Sequence, residues 1–353
     1  MFGCSCFLHR HRPRALFAAD APGSAPRPRV INTHAHFYPA GFLELLATDG
    51  GRFGFGFEST PDHIIITASG TRGPRLPRKF VDLAPRIAEM DGQGVDVQAL
   101  SLTSPMLYWA DAELSERLAR AWNDGASAAH TQHPTRLCGL ITLPMLDTDR
   151  ALRELDRARK LPGMRGIYMG TNINGLDLSE KRFLPVFQEA ERQNLAVFLH
   201  PLQTAGGERT RPFYLSNLIG NPLDTAIAAA HLIMGGVLDV CPRLEINLPH
   251  AGGCVPILSG RWDHGRLVRP ELKHMASAPS EYLRRFTYDT ISHSVPTMKF
   301  VIQQVGADRI TLGDDYCFDM GYEQPVSMVD ALGLSPADRA MVLGGTAAKL
   351  LNM

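Results

Sequence analysis

The sequence predicts an α/β fold, and within it a (β/α)8 or TIM barrel carrying a long insertion after the first strand. Three observations point there. Short apolar runs recur eight times, segments with helical spacing separate them, and several runs end on a histidine or an acid. The runs are Arg29–Thr33, Val95–Leu102, Leu137–Leu143, Arg165–Met169, Leu195–Leu199, Leu244–Leu248, Phe286–Asp289 and Arg309–Leu312. Most are rich in Val, Ile and Leu, as strands covered on both faces should be.

The intervening helices are expected at Ala112–Ala129, Asp147–Lys160, Leu184–Gln193 and Leu223–Asp239. In the second of these, Ala151, Leu152, Leu155 and Ala158 recur at helical spacing among charged neighbours. A doubly wound open sheet would show the same alternation. It would not account for what stands at the strand ends.

Two segments interrupt the pattern. Residues 41–80 form the insertion, rich in Gly, Phe and Arg, and residues 202–222 follow the fifth strand with Gly206, Gly207, Arg209, Arg211 and Pro222. Loops of that length in a compact domain are lids or binding loops. Residues 30–353 are read as one barrel domain. Residues 1–29 are read as a disordered extension, or as the product of a start codon placed too early, with no function assigned.

The 36 basic and 36 acidic residues cancel, so nothing in the net charge favours nucleic acid or an acidic membrane surface. No stretch approaches the ~20 apolar residues of a spanning helix. The six cysteines form no CxxC pair or regular framework, so a reduced protein is expected. A cytoplasmic location follows, with a degenerate export signal in residues 1–29 as the alternative. The apolar run Ala15–Ala19 is shorter than the ~7–15 residues of an ordinary signal core.

The chemistry sits at the strand ends. His34 and His36 lie in INTHAHFYP, just past the first expected strand; in extended chain, residues two apart face the same way. His200 closes VFLHP, His250 closes INLPHAGG, and Asp315 lies in ITLGDDYCF. Each alone could be a hydrogen-bonded core histidine or a turn cap. In a barrel, however, the C-terminal ends of different strands converge on one site. His34, His36, His200 and Asp315 then make a set suited to one divalent ion, zinc first and manganese second. The fourth strand ends in GIYMGTNING without the lysine that commonly bridges two metals in this architecture, which favours one. His250 is left for proton transfer, with a fifth ligand or a structural histidine as alternatives. His293, in DTISHS, is a weaker candidate beside the ligands.

From Val30 to Leu351 the chain resembles the metal-dependent decarboxylase branch of the amidohydrolase superfamily. The resemblance is carried by MDGQGVDVQALS, YWAD, WND, GLITLPM, FLHP, GGVLDVCPRLEI, HAGG, GRWDHG, GDDYCF and EQP. It implies that His34, His36, His200 and Asp315 bind the metal and that His250 and Asp315 are catalytic. It also implies that Arg261 of GRWDHG crosses into a neighbouring subunit's site to hold a substrate carboxylate, making at least a homodimer. A planar guanidinium suits that task because it binds a carboxylate through two hydrogen bonds. A second arginine is expected in the insertion, among Arg72, Arg75 and Arg78; Arg75 is carried forward, with Phe318, as substrate-binding. The sequence departs from the family at Leu202, Gln203, Asn217, Ala251 and Cys317, positions that line the substrate pocket.

The activity implied is non-oxidative decarboxylation of a small unsaturated or aromatic carboxylate, without an organic cofactor. The same ligands would also serve a metal-dependent hydrolase or hydratase of a small carboxylated or cyclic substrate. A catalytically silent binding protein is a third reading, opposed by intact donors on four strands.

Overall fold

The computed structural model describes residues 27–353. The extension expected at the N-terminus lies, up to residue 26, outside the described residues. Arg27 already belongs to the fold, its guanidinium 2.6 Å from the Asp96 carboxylate.

Eight strands form one sheet in chain order: β1 (Ile31–His36), β2 (Val97–Ser101), β3 (Leu137–Thr142), β4 (Met164–Gly170), β5 (Val197–His200), β6 (Ile246–Leu248), β7 (Phe286–Asp289) and β8 (Ile310–Thr311). Every neighbouring pair runs parallel. The ring closes where the Thr33 N–H donates to the Leu312 carbonyl at 2.9 Å, and bridges join Asn32 to Leu312 and Ala35 to Tyr316. All six residues of β1 are buried, as a strand wrapped by helices and facing a filled interior must be. The expected barrel is what the chain forms.

The helices alternate with the strands as expected. Asp111 and Asp147 accept from Leu114 and Arg150 N–H groups to start Ala112–Gln132 and Thr148–Ala158, satisfying donors that a first helical turn leaves free. The inner face of Thr148–Ala158 carries Ala151, Leu155, Ala158 and, against the pattern, Glu154. Its carboxylate is tolerated there because Asn123 donates to it at 2.7 Å and Arg157 at 2.8 Å.

Four expectations need correction. His34 and His36 do not follow the first strand; they belong to it, because pairing with β2 extends through His36. The insertion is no simple loop. It folds as a helix, Ala40–Asp49, followed by a three-stranded antiparallel sheet of Gly56–Ser59, His63–Ala68 and Thr71–Pro77. The helix expected over Leu223–Asp239 runs instead over Asn221–Met234 and restarts at Val237, because Gly236 adopts a left-handed φ of 76° between them. Residues 202–222 hold short helical turns, with Gln203, Phe213 and Tyr214 all at positive φ.

Candidate metal centre

β1 brings His34 and His36 to the barrel mouth on the same side of one strand. β5 ends on His200, and Asp315 stands in the turn after β8 with a left-handed φ of 57°. One donor atom from each lies within 4.8 Å of the others, and all four residues are buried. The Asp315 Oδ1 is 3.0 Å from His36 Nε2 and 3.5 Å from His34 Nε2. The imidazole centroids of His34, His36 and His200 are 5.0–5.3 Å apart.

Each histidine is turned by what holds its other nitrogen. His34 Nδ1–H donates to Asp289 Oδ2 at 2.8 Å. The Ser101 hydroxyl donates to the Ala35 carbonyl at 3.1 Å and accepts from His36 Nδ1 at 3.1 Å. His200 Nδ1 donates to the Pro201 carbonyl at 3.0 Å. With Nδ1 engaged in all three, the Nε2 atoms converge on one point, and buried His34 Nε2 has no hydrogen-bond partner. Three imidazoles and a carboxylate arranged in this way suit one divalent cation.

Electrostatics treat the three imidazoles differently: burial opposes protonation of His34, but its hydrogen bond to Asp289 and the charges of Asp315, Asp289 and Asp314 raise it above the ordinary imidazole value. Burial lowers the His36 imidazole to about 4 and pushes His200 well down, helped there by the neighbouring imidazoles; both are neutral, as ligands must be. Burial alone would raise Asp315, but the hydrogen bond with His36 and the neighbouring imidazoles of His34, His36 and His250 hold it well below the usual carboxylate range.

His250 is not one of the four residues of that donor set. It sits in a turn just beyond β6 with a left-handed φ of 54°, its Nε2 4.0 Å from Asp315 Oδ2. Its ring is 5.4 Å from that of His34, and its Nδ1 has no hydrogen-bond partner among the described residues. Burial, then the charge of His34, lowers its pKa below the ordinary imidazole value. That places a neutral acceptor beside the donor set.

Two residues that hold the site escaped the sequence reading. Asp289, the last residue of β7, holds His34 with Oδ2 while Oδ1 accepts from the Ala251 and Ile291 N–H groups at 2.9 and 3.0 Å. Its place at a strand end was the available signal. Arg86, fully buried, donates to the His36 and Lys79 carbonyls and, at 2.9 Å, to Gln98 Oε1. Its guanidinium carbon lies 4.6 Å over the Tyr316 ring, so it braces both segments that carry ligands. Nothing local in the sequence marks it.

A cavity of about 260 Å³ opens beside Asp315 and His250, walled by Leu218, Pro256, Ile257, Ile291, Phe300 and Val301. A second space adjoins it around His200, Tyr214 and Phe318, sharing Asn217, Asn221, Asp315 and Met320. Phe318 packs edge-on to His36 with centroids 5.4 Å apart. Arg75 and Arg261 line neither space. Arg75 is exposed on the insertion's sheet, while Arg72 and Arg78 are tied to Glu58 and Asp82. Arg261 is exposed on helix Val255–Val268, of which only Val255 and Pro256 are buried. His293 lines the cavity beside His250.

Comparison with known proteins places this centre in context. 2-Amino-3-carboxymuconate-6-semialdehyde decarboxylase of Dictyostelium discoideum is 31% identical, over 92% of this chain and 91% of its own. The crystal structure of 5-carboxyvanillate decarboxylase from Sphingomonas paucimobilis superposes with a TM-score of 0.77 at 27% identity, covering 92% of this chain and 99% of that one. A dihydroxybenzoic acid decarboxylase from Polaromonas sp. JS666, solved with bound manganese, shares the fold at 23% identity and a TM-score of 0.73, covering 92% and 97%. A family model described as amidohydrolase matches residues 31–353, every strand of the barrel and every residue of the donor set, and the chain belongs to that family.

Proposed function

We propose that this chain is a metal-dependent, non-oxidative decarboxylase of a small aromatic or unsaturated carboxylate. The observation that carries the reading is His250 standing 4.0 Å from Asp315, outside the ligand set, at the inner end of a small, largely apolar cavity. The decarboxylase names of the relatives support it. His34, His36, His200 and Asp315 hold the ion, zinc in our reading. Manganese, present in the Polaromonas structure, is the other candidate. When bound, a divalent ion supplies Lewis-acid polarisation of a substrate oxygen.

The protein's own groups do the rest. Neutral His250 takes the proton of a substrate hydroxyl conjugated to the reacting carbon and returns it to that carbon. The bond to the carboxylate then breaks, its electron pair restores the conjugated system, and CO₂ leaves. Solvent returns one proton to the oxygen, so a carboxylate and a proton become a C–H bond and CO₂. The apolar walls favour the step, since a charged carboxylate becomes a neutral gas.

A second copy completes the site in this reading. Helix Val255–Val268 exposes Ile257, Leu267 and Val268 at 73%, 65% and 57%, an apolar face suited to a homodimer contact. Arg261 on that helix would hold a carboxylate in the partner's cavity, with Arg75 as the insertion's contribution. A cytoplasmic location belongs to the same reading, consistent with the four described cysteines being unpaired.

The test is metal analysis of the purified protein followed by CO₂ release from 2,6-dihydroxybenzoate, 5-carboxyvanillate and 2-amino-3-carboxymuconate semialdehyde. Turnover of such acids without CO₂ would move the chain to the hydrolase reading.

A further inference from the structure

The cavity beside Asp315 has an unusual charge inventory for a site that receives an acid. Among the described residues no arginine or lysine lines it, and none lines the adjoining space around His200 and Phe318. Apart from His250 and Asp315 at the inner end, His293 is the one titratable side chain on its wall among the described residues.

His293 is held in place. Its backbone is left-handed, with φ of 54°, just beyond β7. Its ring lies against Tyr322 with centroids 4.8 Å apart and planes inclined by 34°. Neither ring nitrogen has a hydrogen-bond partner among the described residues. Ser292 and Thr297 stand on the same wall, while Ile257, Phe300 and Val301 supply apolar surface around them. His293 and His250 line the same cavity.

A ligand in this cavity therefore meets His293, Ser292 and Thr297 as well as Asp315 and His250, with apolar side chains among them. The cavity, at about 260 Å³, admits one ring. We propose that His293 is the subunit's own anchor for a second acidic group on the substrate. The reacting carboxylate lies at the Asp315 and His250 end. A distal carboxylate or acidic hydroxyl, across one ring, accepts from the His293 imidazole, with the Ser292 and Thr297 hydroxyls beside it. The substrate class narrows to single-ring diacids and hydroxy acids.

This proposal takes its substrate class from the decarboxylase reading, but its test is a binding measurement that needs no turnover. The probes are benzoate and benzene-1,3-dicarboxylate, titrated calorimetrically into the metal-loaded protein and two variants. The wild type is expected to bind the dicarboxylate about tenfold more tightly than benzoate, the weight of one hydrogen bond to a charged group. His293→Asn tolerates the left-handed backbone but shortens the side chain, taking its donor out of reach. It should abolish the preference without changing metal content or benzoate affinity. His293→Lys should keep it. A wild type with no preference overturns the assignment, as does a preference that survives in His293→Asn. CO₂ release with no such preference would sink this proposal and leave the decarboxylase reading standing.

Discussion

Asp289 joins His34 to the turn that carries His250: one carboxylate oxygen receives the His34 Nδ1–H at 2.8 Å, and the other receives the Ala251 N–H at 2.9 Å. A single side chain thus fixes the tautomer of an imidazole in the candidate donor set and the position of the turn that carries His250. Asp289→Asn should weaken metal binding about 10- to 100-fold, the usual effect of removing such a carboxylate. Competition against a chelator of known affinity measures this. An unchanged dissociation constant would refute the role.

The two kinds of histidine should separate cleanly on substitution. His200→Ala removes a donor and should lose the metal, seen by elemental analysis of the purified protein. His250→Asn should retain the metal yet lose about 10²- to 10⁴-fold in kcat, the range of general acid–base catalysis. Full turnover in the second variant would end the assignment of His250.

Acid should inactivate the enzyme through His250. Its pKa is depressed by burial and then by His34, so the imidazole is neutral at pH 7 and becomes cationic only as the pH falls. Activity that needs the neutral form is therefore complete near pH 7 and declines on the acid side. The midpoint in kcat/KM should fall below the ~6.5 of an unperturbed histidine. A midpoint at or above that value would contradict the account.

Arg86 should matter to both stability and metal binding. Removing it leaves the His36 and Lys79 carbonyls and Gln98 Oε1 without its donors in a buried space. Arg86→Leu should cost about 2–4 kcal/mol in denaturant unfolding, typical of orphaned buried polar groups. It should also lower metal affinity, because His36 and Tyr316 lose a common brace. A stable variant with normal affinity would show the guanidinium to be dispensable.

The proposed crossing of Arg261 can be tested by complementation. Arg261→Ala should raise KM about tenfold or more while keeping the metal, through loss of a charge-assisted contact. Mixed with His250→Asn after dissociation and reassembly, it should recover activity. One of the two mixed sites then has His250 from one chain and Arg261 from the other. Mixtures no more active than their components would confine Arg261 to its own subunit.

The residues that carry the donors were legible in the sequence because their cause is local. A strand fixes alternation, so His34 and His36 share a side, and parallel strands of one barrel end on one rim, so His200 and Asp315 arrive there as well. The same logic located the insertion after β1, although not its folding into a helix and sheet, since glycine-rich segments give weak periodicity. What only the tertiary structure decided are relations between distant segments. Asp289 reaches His34 across 255 positions in the chain, and Arg86 reaches the His36 carbonyl across 50. The distance of His250 from the ligand group and the scarcity of cations on the cavity wall are of the same kind. They depend on how separate loops pack over the barrel mouth, where spacing along the chain no longer measures distance in space.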